Sequence, residues 1–168
     1  MRQIVTTYPN KELLEPTREI PKDQINSDTY SQIGSSMVEI MKKKGGVGLS
    51  ANQVGLPLKM CVIATAINNI VIMLNPRIVK SSKITEDSPE GCLSLPGAYA
   101  NVKRHNWVEV EYETVDGETI SERVSGFKGY VIQHEIDHLN GVLFINRLNE
   151  YSKNKALKAM HKFKRKAH

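Results

Sequence analysis

Cysteine is scarce in this chain of 168 residues, which contains two, Cys61 and Cys92. Two thiols exclude a disulfide scaffold, so a reducing compartment, the cytoplasm, is the expected setting. Aromatic residues make up only 6% of the sequence, and there are 11 glycines and 7 prolines, which excludes collagen-like and low-complexity polymers. Apolar runs are only a few residues long, so no segment is expected to span a membrane. The opening residues, Met1 to Thr7, have no apolar stretch of the secretory kind. What is present, 40% hydrophobic and 24% charged residues, suits one globular domain that buries a core without staples.

The net charge of +5 is unevenly spread. From Arg147 to His168 there are six Lys and two Arg against Glu150 alone, a local +7 that leaves −2 for everything before it. A DNA-binding fold would carry its basic face on the body, so none is expected. The expected layout is a near-neutral domain over residues 1–148 and a basic helical tail over 149–168.

Residues 1–26, broken by Pro9, Pro16 and Pro21, read as irregular. Tyr30, Ile33, Met37, Ile40 and Met41 form one apolar stripe at helical spacing, with Ser27 or Asp28 as cap and Gly45-Gly46 as stop. Met60–Ala64 and Ile70–Leu74 are short runs rich in strand formers. Trp107 to Glu113 alternate strictly, and Asp116-Gly117 turns the chain into a returning strand over 119–124. Helices are expected over 127–139, closed by Asn140-Gly141, and over roughly 150–165. The sum is an α+β fold with mostly antiparallel strands.

Chemistry concentrates in His134-Glu135-Ile136-Asp137-His138. On a helix, positions i and i+4 share a face, so His134 and His138 can hold one metal ion with Glu135 beside it as general base. Two ligands are one short of a catalytic site. Downstream, Glu150 and His161 are available in a solvated basic segment. Upstream, Glu90-Gly91-Cys92-Leu93-Ser94-Leu95-Pro96 places a thiol on a loop or bulge, and a thiolate is a good third ligand. Cys61, inside an apolar run, reads as a small core residue. In Gly46-Val47-Gly48-Leu49-Ser50-Ala51-Asn52-Gln53 the glycines permit close backbone approach, and the Gln53 amide can donate to a developing oxyanion. Taken alone, that stretch reads more plainly as a helix stop and turn.

Together and in this order, the three segments resemble peptide deformylase, whose motifs are G-Φ-G-Φ-A-A-x-Q, E-G-C-Φ-S and H-E-Φ-D-H. The one departure is Ser50 in place of Ala. The resemblance implies hydrolysis of the N-formyl group from the initiator methionine of nascent polypeptides, with release of formate. It implies one metal ion per chain on Cys92, His134 and His138, Fe(II) in many members, with Zn, Ni or Co able to substitute. It implies that Glu135 moves the proton while Gln53 and the Leu93 backbone N–H face the oxyanion. Val47 and Gly48 resemble the strand that pairs with the substrate backbone. Phe127, Tyr130 and Val131 share the helical face of His134 and are candidate walls of a methionine pocket, or simply sheet packing. By the same analogy, Glu90 and Arg104 pair behind the site, and the basic tail docks on ribosomal RNA; the plainer alternative for the tail is a solvated helix packing lightly on the body. Two rivals remain: a small metallopeptidase with a carboxylate as third ligand, and a catalytically silent binding module. The second would show a damaged motif, and the metal and base positions are intact.

Overall fold

A computed structural model describes residues 4–25, 28–66 and 69–166. The N-terminal stretch holds a 3-10 turn at Lys11–Leu13 and a one-turn helix, α1 (Lys22–Ile25), so it is more ordered than its prolines suggest. Helix α2 (Asp28–Lys43) has Asp28 as its first residue, and Ser27, the residue before it, lies outside the described residues. Then come strands β1 (Gly48–Ser50), β2 (Met60–Ala66), β3 (Asn69–Ser81), β4 (Thr85–Gly91), β5 (Tyr99–His105), β6 (Trp107–Glu113) and β7 (Thr119–Ser125). Helix α3 (Gly126–Leu139) and helix α4 (Glu150–Lys166) complete the chain. A 3-10 turn over Ala51–Val54 follows β1 directly.

Among the described residues, one antiparallel sheet runs β1-β2-β3-β6-β7, and β4-β5 form a separate antiparallel pair. The apolar runs of β2 and β3 have a structural reason. Met60, Val62 and Leu74 face the core under α2, while Cys61, Ile63 and Met73 face the core under α3. A strand covered on both faces needs apolar residues at every position. β6 is covered on one face only. Val108, Val110 and Tyr112 point at α3, and Glu109 and Glu111 meet Arg123 and Arg77 on the outer face. That is the strict alternation seen in the sequence.

Helix α3 is buried almost all round from Gly129 to Leu139, polar residues included. One of these polar side chains also fixes the helix in place: Gln133 accepts from the His105 N–H at 3.0 Å and donates to the His105 carbonyl at 2.9 Å, which ties α3 to β5. Asn140 caps the helix and Gly141 takes a positive φ of 74°, ending it where expected.

Helix α4 is anchored as well as basic. Ala156 and Met160 pack into a third core with Leu13, Leu95, Ala98, Val102 and Phe144. Lys164 Nζ reaches the Tyr8 carbonyl at 2.9 Å. Lys155, Lys158, Lys162, Arg165 and Lys166 remain exposed.

Candidate active site

The polar residues of α3 face the end of β4. The ligand-capable atoms of Cys92, His134 and His138 lie within 4.8 Å of one another, and among the described residues no other such group of three or more occurs. Cys92 Sγ is 3.1 Å from Nε2 of His138. Glu150 and His161, the downstream alternatives, are not in that group.

The surroundings orient this cluster. Nδ1 of His134 donates to Glu90 Oε2 at 2.8 Å, which leaves Nε2 for the cluster. Arg104 grips Glu90 with Nε at 2.6 Å and Nη2 at 3.0 Å, the pair expected behind the site. Arg104 also donates to Asp137, whose carboxylate is held from the other side by Arg147. Asn52 Nδ2 donates to the His138 carbonyl at 2.6 Å. Asp137, Arg147 and Asn52 were not singled out in the sequence. Asp137 lies in the middle of the His-Glu motif, but nothing local announces its two arginines.

Burial opposes the charged form of Glu90, yet the His134 and Arg104 contacts win and lower its pKa to about 2. Burial likewise opposes a Cys92 thiolate, but the imidazoles of His138 and His134 hold the thiol well below its ordinary value. The ionised form is the one that ligates a metal. Glu135 moves the other way. Burial pushes its carboxyl up, only partly countered by His134 and His138.

Glu135 sits against β1. A Cβ on Gly48 would come within 2.9 Å of the Glu135 Cδ, so the absence of a side chain at 48 is what seats this carboxylate. Glu135 Oε2 and His138 Nδ1 are buried without a hydrogen-bond partner among the described residues. A cluster with a thiol, two imidazoles and an orphaned carboxylate oxygen fits a metal ion with water.

Gln53 is held by its carbonyl end. Oε1 accepts from the Ser50 N–H at 2.9 Å and the Ser50 hydroxyl at 3.0 Å. Its Nε2 therefore points at Ser94 Oγ, 3.0 Å away, and at Cys92 Sγ, 3.6 Å away. Ser50 thus uses its additional oxygen to brace the Gln53 amide.

These groups open into a cleft of about 970 Å³. Gln53, Cys92, Leu93, His134 and Glu135 line it, as do Val47, Gly48, Phe127, Tyr130 and Val131, while His138 is fully buried. Val131 also packs on the sheet, and Tyr130 donates to Glu86 at 2.5 Å. Strand β1 is an edge of its sheet beside the cleft.

Two imidazoles and a thiol converging next to a buried carboxylate, on a helix behind an antiparallel sheet, define a hydrolase with a candidate metal centre. A family model described as polypeptide deformylase matches residues 1–154. A peptide deformylase of Borreliella burgdorferi is 39% identical over 152 residues, covering 90% of each chain. The crystal structure of a peptide deformylase from Legionella pneumophila is similar at a TM-score of 0.90 and 30% identity, covering 98% of this chain and 96% of that one. A second, from Synechococcus elongatus in complex with actinonin, gives 0.87 and 33%, covering 94% and 85%. The chain belongs to the peptide deformylase family. No helix among the described residues is long and apolar enough to cross a membrane.

Proposed function

We propose that this chain removes the N-formyl group from the initiator methionine of nascent polypeptides. The observation that carries the reading is the Glu135 carboxylate, seated by Gly48 beside the Cys92, His134 and His138 donors, with one oxygen unpartnered. One ion per chain is held by these three side chains, Fe(II) physiologically and Zn, Ni or Co as substitutes. A bound divalent ion supplies Lewis acidity, making water a nucleophile near neutral pH.

The chain's own groups do the rest. Glu135, its pKa raised by burial, takes the proton as water attacks the formyl carbon. The Gln53 amide and the Leu93 backbone N–H donate to the oxyanion that develops. Glu135 then delivers the proton to the departing nitrogen as the C–N bond breaks, which yields formate and a free amine. The free edge of β1, at Val47 and Gly48, pairs with the peptide backbone, a mode with little dependence on side chains. Phe127, Tyr130 and Val131 line the pocket for the methionine side chain.

Work on nascent chains belongs in the cytoplasm. The exposed cations of α4 supply a docking face for ribosomal RNA.

The test is formate release from formyl-Met-Ala-Ser by protein purified anaerobically, with metal analysis of the same sample. Glu135→Gln should keep the metal and lose on the order of 10²–10⁴ in rate. Cleavage of an unblocked peptide, with the formylated one left intact, would establish the metallopeptidase instead.

A further inference from the structure

The cleft has a wall that the catalytic motifs do not account for. Among the described residues, nine large hydrophobic side chains are exposed, and five of them line this cleft: Ile4, Val47, Tyr99, Phe127 and Phe163. Apolar surface gathered around one opening marks a binding surface. Phe163 is the unexpected member, because it comes from α4 and lies beyond the stretch the family model matches.

Its placement is built. Met160 is buried in the third core, and Phe163 follows one turn later on the same side of α4. The ring rests on Gly97, in the loop between β4 and β5 that also carries Leu93. A Cβ on Gly97 would meet Phe163 Cβ at 2.5 Å, so only glycine lets the two elements close, and its φ of 81° suits glycine as well. Lys164 then ties the helix end to the Tyr8 carbonyl at 2.9 Å, next to the N-terminal segment that brings Ile4 to the cleft. Phe163 is nevertheless 51% exposed. A ring fixed in position, half in water and continuous with the catalytic cleft presents an apolar face to whatever occupies the cleft.

We propose that Phe163 is a specificity-determining residue that packs against an apolar or aromatic side chain of the substrate, downstream of the formylated methionine. The inference rests on the deformylase reading and deepens it. The methionine pocket lies against α3, and an extended peptide leaving it along β1 has the β4–β5 loop and the end of α4 as its remaining wall. Helix α4 thereby acts in substrate selection, whatever its cations bind.

Four peptides test this: formyl-Met-Ala-Ala-Ala and the three variants with Phe at the second, third or fourth position. The wild-type chain should prefer at least one Phe peptide over the all-Ala peptide by about five-fold in kcat/KM, the yield of burying roughly half an aromatic side chain. The preference should reside in KM. Phe163→Ala should abolish it. Phe163→Lys keeps an aliphatic stem over Gly97 and puts a charge at the rim, so it should abolish the preference even if the Ala variant folds poorly. Tyr151→Ala, on an exposed residue of α4 away from the cleft, should preserve it. A wild type without any preference, or a preference unchanged in both Phe163 variants, overturns the inference. Absence of formate from all four peptides overturns the deformylase reading and this inference with it.

Discussion

Nδ1 of His134 lies 2.8 Å from Glu90 Oε2, and Arg104 holds the same carboxylate from its far side. The carboxylate accepts the ring proton, fixes the tautomer and turns Nε2 toward Cys92 and His138. Partners of this kind typically govern metal affinity by 10- to 100-fold, roughly. Glu90→Gln should therefore weaken metal binding by about that factor, read by competition with a chelator. Unchanged affinity would mean that packing alone orients the imidazole.

Gly48→Ala should behave like a lesion of Glu135. The added methyl group must displace the carboxylate, and a shift of about 1 Å can cost on the order of 100-fold in rate. The expected result is a comparable loss of kcat with metal content intact. Full activity would show that the carboxylate has room to move.

Asp137 is shared between Arg104, which is 2% exposed, and Arg147. Asp137→Ala leaves Arg104 with one carboxylate instead of two in a buried setting. A loss of about 1–3 kcal/mol is expected in urea denaturation, the usual cost of stripping a buried charged group of one hydrogen-bond partner. A loss below about 1 kcal/mol would mark Asp137 as a spectator.

Removing residues 150–168 is not a clean test of ribosome docking, because it strips Ala156 and Met160 from the core over Leu95 and Phe144. Such a truncation should melt lower. Reversing the charge of Lys155, Lys158 and Lys162, all exposed, should abolish salt-sensitive co-sedimentation with ribosomes while the melting temperature holds. Undiminished co-sedimentation would end the docking proposal.

Tyr112 supplies a pH dependence. Burial, the charge of Glu122 and the hydrogen bond to it raise the phenol from 10.0 to about 12. A folded-state pKa above the unfolded one gives stability that is complete below pH 10 and lost as pH rises toward 12. Tyr112→Phe should flatten that decline in thermal melts recorded across the window. Parallel curves for the two proteins would assign the decline to other groups.

Strands β2, β6 and β7, the first part of β3, and helices α2 and α4 are readable because their burial is apolar and periodic; β3 runs on to Ser81, beyond its apolar stretch, and α1 falls in a stretch read as irregular. The β4–β5 pair was not readable. Its inward positions, Ser88 and Glu90 on one strand and Val102 and Arg104 on the other, are mostly polar or ionic, and Pro89 sits within it. Strand patterning registers hydrophobic alternation, and here an ion pair occupies the inner face. Strand β1 was hidden for another reason: three residues between two glycines and a 3-10 turn leave no period to detect. Ala156, Met160 and Phe163 stand four and three residues apart, one apolar stripe at helical spacing. That its third member leaves the core for the cleft depends on Gly97, which lies far off in the sequence.

The contacts that assemble the cleft span the chain: Gln53 meets Cys92 across 39 positions, Cys92 meets His138 across 46, and Lys164 reaches Tyr8 across 156. Such non-local closure must be won against loop entropy, which favours slow, all-or-none folding. No fragment emerging early in synthesis holds a complete set of donors. The donor set closes only once α3 has been made, and heat should extinguish that cluster and the tertiary structure around it in a single step.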